Sequence, residues 1–163
     1  MQHEAQDWKQ HYKAMKRWKD RAIEASQGIS KRESVGWLID STTADDFGRA
    51  YFIWAHSLRD WLIKSETVEQ KKLDDLLFDQ DAWKNVRDFA NKTKHSIITQ
   101  NPKDPNWISG MSIDANALLR GEHGVEPYVY IGGRLINFGE AVLEVDKMWE
   151  CVLAELGLSG ASK

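Results

Sequence analysis

The chain has 163 residues, 42% hydrophobic and 29% charged, enough apolar material to close one core and enough charge to keep it in water; this excludes a disordered chain, and no run reaches the roughly 18 apolar residues of a membrane-spanning helix. Lysine plus arginine number 22 against 25 aspartate plus glutamate, a net charge of −3, which excludes a uniformly basic protein that coats nucleic acid. A single cysteine, Cys151, excludes an intramolecular disulfide and any multi-cysteine metal or cluster site within one chain, so an inert thiol is expected there.

The opening residues, MQHEAQDWKQHYKAMKRWKD, alternate charge with aromatics and lack the apolar block of a signal peptide, so a cytoplasmic protein is expected. Trp8, Tyr12, Met15, Trp18 and Ala22 recur at steps of three and four and predict an amphipathic helix over about 3–25,. Its other faces carry Lys9, Lys13, Lys16, Arg17, Lys19 and Arg21, read plainly as a solvated face and functionally as a contact for an anionic partner. Residues 26–42, with Gly28, Gly36 and the apolar trio Trp37, Leu38 and Ile39, read as a connector tucked into the core,.

Thr42 or Thr43 ahead of Asp45 and Asp46 predicts the start of a second, central helix running to about Lys64,. Phe47, Tyr51, Trp54, Leu58, Trp61 and Leu62 share its apolar face, with Phe52, Ile53 and Ile63 outside it,. His56 and Asp60, four apart, fall on the less apolar side. Residues 68–78 predict a short third helix on Leu73, Leu76 and Leu77; Asp79 or Asp81 caps a fourth over about 82–98, ended by Asn101-Pro102,. Tyr128–Ile131, Gly132-Gly133 and Leu135–Phe138 read as two strands joined by a tight turn, with an extended or helical segment within 107–119,. From Glu140, the apolar residues Val142, Val145, Met148, Trp149, Val152 and Leu156 return to helical spacing, and Gly157 ends the helix,. The expected architecture is one mainly α domain over 1–163: a four- to five-helix bundle with a small β-hairpin insert at about 105–138 before a C-terminal helix at about 139–157.

One stretch stands out. Residues 84–103 carry Lys84, Arg87, Lys92, Lys94 and Lys103 against Asp88 alone, a balance of +4 inside an acidic protein. Arg87, Asn91 and His95 lie four apart, drifting by about 40° per step, and form a polar row beside the apolar stripe of Trp83, Val86, Ala90, Thr93 and Ile97,. Arginine or lysine neutralises charge developing on phosphate oxygens, and histidine moves a proton near neutrality, so this set suits metal-free cleavage of a phosphodiester by its own 2′-hydroxyl. Its plain alternative is a set of satisfied polar groups at the core margin. His56, Asp60, Asp88 and His95 make a weaker candidate metal set, and no cofactor is expected. Trp107, in a loop, is the tryptophan placed to stack on a base,.

The pairing of Tyr51-Phe-Ile-Trp-Ala-His-Ser-Leu-Arg-Asp-Trp-Leu62 with Arg87-Asp-Phe-Ala-Asn-Lys-Thr-Lys-His95 resembles HEPN-like proteins, mainly over residues 47–98. That superfamily comprises small four- or five-helix domains, many of them ribonucleases of toxin-antitoxin and phage-defence systems. The resemblance implies catalytic roles for Arg87, His95 and Asn91, substrate contacts by Lys94, Lys92 and Asp88, and a homodimer in which the motifs of two protomers face one another. Catalytic members separate their arginine and histidine by four to six residues; here seven intervene. Two readings follow. One is a non-catalytic HEPN-like interaction protein of a defence, toxin-antitoxin or phage system, presenting to a protein partner the acidic residues Asp74, Asp75, Asp79 and Asp81 or the strand pair. The other is a metal-independent endoribonuclease or RNA-binding toxin using Arg87 and His95. The tryptophan-rich first helix is a candidate dimer interface.

Overall fold

The computed structural model describes residues 7–29, 37–94, 108–113, 119–120, 125–131 and 133–158. Among these residues are five helices, α1 (Trp8–Ile29), α2 (Trp37–Lys64), α3 (Gln70–Phe78), α4 (Asp81–Lys94) and α5 (Phe138–Glu155), and three strands, β1 (Ile108–Ile113), β2 (Val125–Ile131) and β3 (Arg134–Asn137). The chain is thus mainly helical, with a small antiparallel hairpin before the last helix.

The long α2 is the axis on which the rest is assembled; α1, α4, α5 and β2 all pack on it. Its inward residues Tyr51, Ala55, Leu58 and Leu62 are fully buried. Phe52, expected outside the apolar face, is buried too, with its ring centroid 4.5 Å from that of Phe89 and 5.8 Å from that of Phe138. Periodicity assigns one face to a helix, whereas a helix enclosed by several neighbours buries more than one. Gly48 marks a close approach to α5, since a Cβ there would lie 1.6 Å from the Phe138 ring.

The expected start of α2 is corrected. The helix begins at Trp37, and α1 extends to Ile29, so Trp37, Leu38 and Ile39 belong to helix rather than connector, and Thr42 and Thr43 lie inside α2. Asp45, expected to favour a helix start, instead takes Arg49 one turn on, Nε to Oδ2 at 2.6 Å. A carboxylate that signals a helix start is also tolerated inside a helix when a cation one turn on takes up its charge.

The hairpin forms as the Gly-Gly pair predicts: Ile131 pairs with Arg134 across the turn, and Gly133 has φ +76°, a backbone region open to glycine. β1 adds to the other edge of β2, giving the order β1-β2-β3. Val129 and Ile136, a cross-strand pair, face the core, whereas the neighbouring pair Tyr130 and Leu135 faces out. Phe138, expected to end the second strand, is the first residue of α5. Asn137 caps that helix, its side chain accepting from the Gly139 amide at 2.8 Å, and so turns the chain out of the strand,. At the far end the Leu158 amide donates to the Leu153 carbonyl and the Gly157 amide to that of Ala154, with Gly157 at φ +73°, the bonding of a glycine-terminated helix.

Candidate functional site

Helix α4 presents Trp83, Val86, Phe89 and Ala90 to the core. Thr93, also on the expected stripe, is only half-buried and donates its hydroxyl to the Phe89 carbonyl at 2.8 Å. On the adjoining side, Asp88 is fully buried and accepts from Arg87 Nε at 3.2 Å and Nη2 at 3.1 Å. Burying a lone carboxylate is costly, so Asp88 keeps the neighbouring guanidinium against it. The Arg87 side chain retains 31% of its exposure against 1% for Asp88. Asn91 and Lys92, half-buried, follow on the next turn.

The structure therefore places Arg87, Asp88, Asn91 and Lys92 on one described helix. The side chain of Lys94 and the whole of His95, with Ile97, Lys103 and Trp107, lie outside the described residues. Asp88 was expected to contact substrate; its burial makes it a group that holds Arg87. Of the local basic excess, Lys84 sits 3.7 Å from Asp81, and Arg87 is engaged by Asp88.

The other expected sets are dispersed. The His56 ring stacks on Trp83, with centroids 5.4 Å apart and planes 7° from parallel, while Asp60 accepts from Arg59 at 3.2 Å. Among the described residues no group of three or more histidines, cysteines or carboxylates is placed to hold a metal. The acidic face is largely matched within the chain. Asp74 takes a two-pronged contact from Arg59, at 2.6 and 2.8 Å, which holds its carboxyl below the usual range; Asp75 takes Lys71 at 2.7 Å. Asp79 remains exposed at the end of α3. The Cys151 thiol is free and exposed.

Three features had no clear signal in the sequence. The first is a charged seam between α1 and α5. Asp146, nearly buried, takes Lys16 at 2.7 Å and Lys19 at 3.2 Å, and Lys16 also reaches Glu150 at 2.7 Å. Although burial opposes the charge on Lys16, the two carboxylates outweigh it and raise its pKa, while Lys16 lowers that of Glu150. The second is His11, whose ring lies between Trp54 and Trp61 with centroids at 4.4 and 4.9 Å. Its Nε2 is 2.9 Å from the Trp54 carbonyl, which only accepts, so Nε2 carries the proton; Nδ1 is buried and meets no hydrogen-bonding group,. Burial pushes this imidazole below its ordinary pKa. The third is a cavity of about 20 Å³ among Phe52, Val86, Phe89, Val129 and Val145, with Asn85 at its wall, room for about one water molecule.

The tryptophans of α1, expected at a dimer interface, are used inside the chain. Trp8 is buried, and Trp18 packs on Phe47 with centroids 5.9 Å apart.

Compared with protein families, with curated proteins and with solved structures, the chain matches none.

Proposed function

We propose that the protein is a non-catalytic HEPN-like interaction protein of a bacterial defence, toxin-antitoxin or phage system, working as a homodimer. The observation that supports binding over catalysis is the Arg87–Asp88 contact: the arginine that a phosphodiester cleavage would need is tied to a fully buried carboxylate on its own helix. The offset to His95 adds to this. Seven residues intervene between Arg87 and His95, against four to six in the catalytic proteins the motif resembles.

A second reading, a metal-independent endoribonuclease, draws on the remaining exposure of Arg87 beside Asn91 and Lys92. There Arg87 would neutralise phosphate, His95 of one protomer would move the proton, and Asn91, Lys92 and Lys94 would orient the strand. Incubating total RNA with the protein in chelator separates the two. The binding reading expects no cleavage. Cleavage that survives chelation and vanishes in His95→Ala overturns it in favour of the second, and a monomeric mass in solution removes the homodimer from both.

A further inference from the structure

Six basic residues lie on α1, and the structure divides them by role. Lys16 and Lys19 turn toward α5 and are neutralised by Asp146 and Glu150. Lys9, Lys13, Arg17 and Arg21 all remain exposed, Lys13 while keeping a contact within the chain. They recur every four residues, so each step advances about 6 Å along the helix and turns about 40°, and the four form a slanting row about 18 Å long. Arg21 lies over the Trp18 ring, 5.0 Å from its centroid, which steadies the guanidinium at the end of the row,. Two acids share this outer side near its C-terminal end, Asp20, within 3.7 Å of Lys19, and Glu24. Asp7, exposed at the start of the helix, accepts from the Lys9 amide at 2.9 Å; between it and Asp20 the exposed residues are Lys9, Gln10, Lys13 and Arg17.

We propose that this outer face of α1 is a docking strip for the phosphate backbone of a single nucleic-acid strand. A row of cations about 18 Å long spans roughly five phosphates at 3.4 Å per nucleotide along a strand, and contacts of this kind recognise charge rather than sequence. An anionic membrane offers charge too, but a helix that lies on a membrane inserts its apolar face. Here Trp8, Tyr12, Met15 and Ala22 are buried in the core, so that face is unavailable. The strip does not depend on the α4 reading, because none of its residues belongs to that helix. It names the kind of partner that a non-catalytic protein would hold.

The test is fluorescence anisotropy of a labelled 12-nucleotide single-stranded RNA against the whole protein between 50 and 200 mM salt. Four phosphate contacts predict a slope of log affinity on log salt of about −3. The triple variant Lys9→Gln, Lys13→Gln, Arg17→Gln, exposed at every position and checked for an unchanged thermal melt, is expected to lose at least about tenfold in affinity at 50 mM salt and to flatten the slope to about −1. A control double variant of the same kind elsewhere, Lys72→Gln with Lys147→Gln, is expected to stay within about twofold. The proposal is overturned by absence of binding at 50 mM salt, by a triple variant that binds like the parent, by a control that loses as much as the triple, or by capture on phosphatidylserine vesicles without capture of the RNA. The assay is run in the His95→Ala background, in which the α4 ribonuclease reading expects the RNA to stay uncut, so loss of binding is read separately from failure of the α4 reading.

Discussion

Among the described residues two carboxylates, Asp146 and Asp88, are buried with cations beside them, and the two differ in where those cations come from. Asp146 on α5 is reached by Lys16 and Lys19 from α1, more than 120 residues away, whereas Asp88 is met by Arg87, its immediate neighbour on α4. The first contact ties the two ends of the chain together. The second anchors a side chain against its own helix. A buried ion pair across an interface is therefore a constraint on the fold, while one within a helix is a constraint on the direction of an arginine.

The comparison breaks if the two sites respond alike. Asp146→Ala removes the nearly buried carboxylate that Lys16 and Lys19 share, leaving Lys16 with Glu150 and Lys19 with Asp20 at a seam where the lysine side chains are 18% and 20% exposed, and is expected to cost about 3 kcal/mol in urea unfolding. Asp88→Asn keeps an oxygen that accepts from Arg87 and removes only the charge, so about 2 kcal/mol is expected. An Asp88→Asn loss larger than that of Asp146→Ala would reverse the assignment of roles. The smallest effect sharpens the contrast with a third polar group that has no charge beside it. His11 has its pKa depressed by burial, so the unfolded chain binds the proton more readily. Stability from this group is complete above the unfolded value of about 6.5 and declines as pH falls through the folded one. His11→Phe keeps a ring between the two indoles and removes the titration; unfolding midpoints followed from pH 7.5 to 5 are expected to fall less steeply in the variant. Equal slopes would exclude His11 as the source.

How much of this could be read from the residues depends on the range of each interaction. The helices follow apolar steps of three and four, and the hairpin follows a Gly-Gly pair, both local. The start of α2 was misplaced because Thr42, Thr43 and Asp45 serve a helix interior as well as a helix end, given the Arg49 partner. Phe52 was misplaced because its burial depends on Phe89 and Phe138, from two other elements. In the candidate site, the run Arg87, Asp88, Asn91 and Lys92 and its position on one helix were legible, being a matter of spacing. That Asp88 faces inward and captures Arg87 was not, since a charged residue in a helical pattern is ordinarily taken for a solvated one.

The sequence alone determined that this is a mainly helical chain with a glycine-turned hairpin before its last helix, because backbone preference and apolar period act over a few residues. Which of its charges are shielded and which face water was decided only in the tertiary structure. Burial of Asp146 and exposure of Lys9, Lys13 and Arg17 depend on how α5 and α1 lie together, and the cost of removing a charge from water is set by whatever the rest of the chain brings beside it.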